Sequence, residues 1–247
     1  SVLSEALQLF PDSSHLLSYR AAVNRFAEDS TKIAQAQRTL DMLKSKNDPA
    51  FNAALGSAFH NIGLGFEADS KLELAIQSFE IALEFDRSRL QTLKLLASSL
   101  VAGGRAEEAV QIAHQLVRLM PTEVESLHHA ADILSDTGRI DDAIALVKRA
   151  LELETKADLF GLLAYCYAKK GSNEDAIAYY QLALEQNPSD TLFRTNLGLI
   201  LQFQGRIDEA IAAYERVTAD TPNSVAQFNL GLIYLAQGRA EEARQAY

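Results

Sequence analysis

The sequence predicts an all-α chain of helical hairpins repeated at a fixed step, and three observations carry this. First, a six-residue unit recurs: weakly at Ser70 to Ala75, then at Gly104 to Ala109, Gly138 to Ala143, Gly171 to Ala176, Gly205 to Ala210 and Gly238 to Ala243. Its closing alanines stand at 75, 109, 143, 176, 210 and 243, steps of 34, 34, 33, 34 and 33 residues, within the range that marks a repeat array. Second, twelve residues before each alanine stands a small residue: Gly63, Ala97, Ala131, Ala164, Gly198 and Gly231. Third, four residues after the alanines come Phe79, Ala113, Val147, Tyr180, Tyr214 and Tyr247, and Pro11, Pro121, Pro188 and Pro222 stand where second helices must stop.

The six-residue unit has a mechanical meaning. Glycine ends one helix because it adopts a left-handed conformation without steric cost. The acidic doublets, such as Glu107-Glu108 and Asp141-Asp142, then fall in the first turn of the next helix, facing unpaired N–H groups and the positive end of its dipole. Their recurrence identifies them as helix-start residues and not as catalytic pairs. The alanine follows where two helices approach closely.

Small, aromatic, small and proline in these places resemble the tetratricopeptide repeat. The resemblance covers Gly56 to Tyr247 well and Ser14 to Lys46 poorly; the tryptophan common at the start of that motif is absent, with Phe59 and Phe228 partly replacing it. It implies a right-handed α-solenoid superhelix, read here as one stack over 1–247. Its expected parts are a partial repeat at 1–12, a degenerate repeat at 13–48, repeats at 49–89, 90–123, 124–156, 157–190 and 191–223, and a truncated repeat at 224–247. Ser13 or Ser14, and Ser30 or Thr31, can cap the helices of the degenerate unit. Asp48-Pro49 is a good helix start, and the helix from Pro49 to about Ala68 is expected to be longer than its counterparts. Both chain ends cut through repeats, as expected of a piece of a longer protein. With the last unit cut short, Leu230, Ile233 and Tyr234 are expected to be less covered than Leu197, Ile200 and Leu201.

Composition narrows the function. A formal charge of −10 argues against nucleic acid, since phosphate binding needs a basic face, and disfavours anionic lipid. No apolar run reaches membrane-spanning length. One cysteine excludes an internal disulfide framework and leaves the compartment open. No nucleophile elbow, phosphate loop or zinc spacing is present, so neither an enzyme, a cofactor nor a metal is expected. His128 and Asp132 lie one helical turn apart next to His129, but no third ligand accompanies them. Cys166, between Tyr165 and Tyr167, reads as a small buried hydrophobe.

In the resembled family the first helices of the hairpins line a concave groove. Its ligand-facing places map here onto Lys94, His128, Asp132, Tyr165, Leu199, Phe203, Phe228 and Leu232, among others including Gly161 and Asp158. The middle of this groove is acidic with histidine and its C-terminal third apolar, as a protein or peptide partner would require. Asn61, Asn196 and Asn229 each precede a small glycine by two residues and partly resemble the asparagine ladder in the repeat arm of O-linked N-acetylglucosamine transferases, interrupted by Leu95, His129 and Leu162. The carboxylate-gripping lysines of the chaperone-binding members are missing. Three readings follow: a scaffold binding a protein or peptide segment in its groove, a substrate-recruiting arm of a larger enzyme such as a glycosyltransferase, and a self-assembling scaffold that joins through its open ends.

Overall fold

A computed structural model describes residues 49–220 and 223–246. The expected partial and degenerate repeats, with their serine and threonine caps, lie outside them, as do Pro222 and Tyr247. All secondary structure among the described residues is helical, and the helices pair as antiparallel hairpins.

The first compact unit ends at Leu119 and contains α1 (Pro49–Ala68), α2 (Leu72–Phe85), α3 (Leu90–Ala102) and α4 (Ala106–Leu119). The second, Met120–Tyr247, contains α5 (Val124–Asp136), α6 (Ile140–Leu153), α7 (Ala157–Lys170), α8 (Asn173–Gln186), α9 (Thr191–Phe203), α10 (Ile207–Asp220), α11 (Ser224–Ala236) and α12 (Ala240–Ala246). Helix α1 runs for 20 residues against 13 or 14 for α2 to α11, as the Asp48-Pro49 start predicts.

The hairpin turns sit where the repeated glycines place them. Gly104, Gly138, Gly171, Gly205 and Gly238 have φ between +72° and +85°. The residue after each donates its N–H back into the preceding helix: Arg105 to Leu100 O, Arg139 to Leu134 O, Ser172 to Tyr167 O, Arg206 to Leu201 O and Arg239 to Tyr234 O, all at 2.7–2.9 Å. This bond satisfies a carbonyl that the helix end would otherwise leave bare. The weak first copy uses Ser70 at φ 58°, with Lys71 N–H donating to Phe66 O at 2.8 Å. In three of these turns the arginine after the glycine also holds an acid of the doublet: Arg105–Glu108 (2.6 Å), Arg206–Glu209 (2.7 Å) and Arg239–Glu242 (3.1 Å). These acids are therefore turn fasteners at the starts of second helices.

The repeated alanines 75, 109, 143, 176, 210 and 243 are all buried. In four of the five pairs whose residues are both described the two flanking columns are matched in size; at the fifth, Ala164 accompanies the buried ring of Tyr180. At Gly63 a Cβ would stand 2.6 Å from Phe79 Cδ1 and closer still to Cε1; at Gly198 it would stand 2.7 Å from Tyr214 Cε1. Where the second helix carries Ala113 or Val147 instead of a ring, the first carries Ala97 or Ala131. At Gly63 and Gly198 glycine provides the room that the ring occupies, and the interhelix space stays filled.

The chain's last described hairpin departs from expectation. Leu230, Ile233 and Tyr234 are as buried as Leu197, Ile200 and Leu201. Helix α12 has seven residues, but it brings Ala243 and Ala246 onto this cluster, so two turns suffice to cover it. Tyr234 also donates its hydroxyl hydrogen bond to Glu215 Oε1 at 2.7 Å.

Candidate functional site

The candidate surface of the second unit lies on its first helices, α5, α7, α9 and α11. Two of them are started by side-chain caps: Asp190 accepts from Phe193 N–H and Asn223 from Ala226 N–H, both at 2.9 Å, as orphan first-turn donors require. Helices α7 and α5 are tied by Lys169, whose Nζ donates to Ser135 O at 3.1 Å and pairs with Asp136 at 3.2 Å while lying 4.7 Å from the centre of the Tyr165 ring.

On α9 and α11, Leu192, Phe203, Val225, Phe228, Leu232 and Leu235 are exposed. Positions 225, 228, 232 and 235 recur three and four residues apart, so they lie on one helix face. Six of the eleven exposed large apolar side chains among the described residues fall on these two helices, and this concentration separates them from surface hydrophobics scattered singly.

Between α5, α7 and α9 lies a cavity of about 260 Å³. Its walls are mainly apolar, with Leu162, Tyr165, Leu192 and Phe193, and it is edged by His128, Asp132, Asp158 and Asn196. Gly161 is buried beneath it because the Phe193 ring from the next repeat occupies the space; a Cβ there would stand 2.7 Å from Phe193 Cζ and closer still to Cε1. The family-derived place at Gly161 therefore offers a packing contact and no ligand-facing side chain. A second cavity of about 320 Å³ shares His128 and Asp158 with the first and is also lined by Val124, Glu125 and Lys156.

The acidic edge of the first cavity is only partly compensated. Burial of its carboxyl, and then the like charge of Asp136, raise the Asp132 pKa above the ordinary carboxylate value; His128 and Lys169 pull in the other direction without cancelling this. Lys156, on the second cavity, pairs with Glu154 at 2.8 Å. The buried Cys166 thiol is pushed up to about 11, chiefly by burial, which suits a packing residue and not a nucleophile.

The remaining expected residues fall in different settings. In the first unit Asn61 is exposed, whereas Lys94 is buried. His60 is also buried, 2.9 Å from the Thr92 hydroxyl, and burial followed by the Arg89 charge lowers its pKa. In the second unit Asp132 is exposed as a residue although its carboxyl is partly withdrawn from water, His128, Tyr165, Asn196 and Leu199 are half-buried, and Asn229 is buried. Among the described residues no three His, Cys, Asp or Glu side chains gather as metal ligands, and no helix is long and apolar enough to cross a membrane.

Comparison with known proteins agrees with this architecture. The family model described as tetratricopeptide repeat matches residues 129–191 and 195–247. The human protein O-mannosyl-transferase TMTC1 is 25% identical over 175 residues, covering 69% of this chain but 19% of that protein. The photosystem I assembly protein Ycf3 of Synechococcus sp. strain CC9902 is 33% identical over 107 residues, 40% of this chain and 62% of Ycf3. The chain thus spans about a fifth of the human relative and under two thirds of Ycf3. Among solved structures, PilW, a type IV pilus biogenesis factor, superposes with a TM-score of 0.66 at 17% identity, covering 77% of this chain and 90% of PilW. Tetratricopeptide repeat domains generally mediate protein–protein interactions. With its paired helices and its glycine turns at steps of 33 and 34 residues, the chain is a tetratricopeptide repeat protein, the family model covering residues 129–191 and 195–247.

Proposed function

We propose that the chain is a non-enzymatic scaffold that binds an extended segment of a protein partner along the exposed first-helix faces of its second unit. The observation that supports this reading is the exposed apolar row on α9 and α11, Phe203, Phe228, Leu232 and Leu235 above all. Such a row lies on helices fixed by their own hairpins. A preformed surface lowers the ordering cost of binding a flexible segment, and burying exposed aromatic and aliphatic side chains supplies the anchoring energy.

The test is selection of extended dodecapeptides from a phage-displayed library on the intact chain and on the Phe228→Asp/Leu232→Asp variant. The parent should enrich a set of peptides that bind the variant at least about tenfold more weakly. Equal binding by both proteins would remove the apolar face from the mechanism. A second reading, a recruiting arm of a larger enzyme, draws support from TMTC1, which is named as a mannosyl-transferase and of which this chain matches 19%. On that reading the same face would select peptides from the substrates of an attached catalytic domain.

A further inference from the structure

The cavity between α5, α7 and α9 combines apolar walls with carboxylates that have no cation of their own. Asp132 and Asp158 come from helices of successive repeats and line the same space, and neither makes an ion pair among the described residues. Lys169, whose positive charge reaches Asp132, is already held by Ser135 O, Asp136 and the face of Tyr165. An acidic mouth over an aromatic and aliphatic wall complements a side chain with a long apolar stem and a delocalised positive head.

We propose that this cavity is a subsite for an arginine side chain of the bound segment, its stem against Leu162, Tyr165 and Phe193 and its guanidinium between the carboxylates of Asp132 and Asp158. The proposal rests on the reading of the second unit as a binder of protein segments, and it specifies the chemistry of the partner. Arginine fits better than lysine for three reasons. Its planar fork can engage carboxylates from two directions, it is more weakly hydrated than an ammonium group, and it stacks on aromatic rings. The charge of −10 on the chain adds a long-range attraction for basic segments.

Pairing would also relieve the site. Asp132 is held above its ordinary pKa by burial and by Asp136, and an opposite charge within a few ångströms removes that penalty. The glycine at 161 contributes indirectly: by admitting the Phe193 ring, it sets an aromatic surface beside the acidic edge.

The experiment uses the whole chain, labelled with ¹⁵N, and blocked amino acids as probes. N-acetyl-arginine N-methylamide should give saturable shifts centred on the amides of Asp132, Asp158, Gly161 and Asn196. The citrulline analogue, which has nearly the same shape and no charge, should give none, and the lysine analogue should bind more weakly. Asp132→Asn/Asp158→Asn, in a spectrum otherwise unchanged, should weaken the arginine probe at least about tenfold, the loss expected for charge-assisted pairing. Equal shifts with citrulline, or arginine shifts that do not saturate or that centre elsewhere, overturn the proposal without recourse to any variant.

Failure of this subsite is distinguishable from failure of the broader reading. Selected dodecapeptides that depend on Phe228 and Leu232 but carry no arginine bias, together with an unsaturable arginine probe, would refute the subsite and leave the apolar face. A saturable, charge-dependent arginine probe at the cavity, with no peptides enriched by the parent chain, would do the reverse.

Discussion

The matched columns of the hairpins make a quantitative prediction at Gly63 and Phe79. Phe79 is fully buried, and an alanine methyl at position 63 would stand 2.6 Å from its Cδ1. Carbon atoms pack at about 3.5–4.0 Å, so the ring would have to move by about 1 Å. Such overpacking costs about 1–3 kcal/mol. Alanine returns about 1 kcal/mol over glycine inside a helix, leaving Gly63→Ala neutral to moderately destabilising. Phe79→Ala alone should cost about 3–5 kcal/mol from lost burial and the cavity left behind. In the double variant the clash disappears while the helix gain remains, so Gly63→Ala should stabilise the Phe79→Ala background by about 1 kcal/mol. The sign reversal reproduces in α1 and α2 the alanine pair that α3 and α4 already use at positions 97 and 113.

The assay is urea unfolding of the four proteins of the cycle, with hydrogen exchange at α1 and α2 amides as the local readout. Repeat arrays open unit by unit, and a single global midpoint can hide a local loss. If Gly63→Ala changes stability by the same amount in both backgrounds, within about 0.5 kcal/mol, the two columns are uncoupled and the size-matching argument fails.

Further outcomes follow from the turns and the acidic cavity. Gly171→Ala, at φ 85° with open space where the new Cβ would stand, should cost about 1–2 kcal/mol from backbone strain alone. Gly171→Asn should lose less because asparagine tolerates this region, so equal losses in thermal melts would point to a contact and not to the backbone. Asp132→Asn should raise the melting temperature at neutral pH. The folded pKa of Asp132 lies above its unfolded value, so its ionisation disfavours the folded state as pH rises through that interval. The advantage of the variant should therefore shrink as pH falls and vanish below the ordinary aspartate range. A gain independent of pH would assign the effect to something other than the carboxylate charge.

The parts of the architecture legible in the sequence are those fixed by local requirements. A left-handed turn demands glycine, a close helix approach demands alanine, and both recur at a fixed spacing. The site was less legible because burial within a repeat depends on side chains from the next one. The family resemblance implies a ligand-side place for Gly161, but the Phe193 ring closes over it. Lys94 and Asn229 are buried while Phe203 and Phe228 are exposed, a difference that the spacing of these places does not carry. Coverage of Leu230, Ile233 and Tyr234 is not legible from the length of the last unit, because the short α12 already carries Ala243 and Ala246 to the contact. Asp132 and Asp158 were both visible as ligand-side residues, but the cavity they share requires the packing of three helices. The available signal was a glycine at a ligand-side place followed, one repeat on, by a phenylalanine where its neighbours vary.

The uniform turn has a kinetic consequence. Each glycine closes its hairpin through a bond spanning five residues, such as Arg206 N–H to Leu201 O, and the fastening arginine reaches an acid three residues ahead. The information that pairs two helices is therefore held within a few residues of the bend and does not await distant chain segments. Loop closure is short, which keeps the entropic barrier to forming a hairpin low. Any hairpin with this turn can act as a starting point onto which its neighbours dock. Substituting one turn glycine should then slow the formation of its own hairpin most, and a chain lengthened by further copies would gain starting points as it grows.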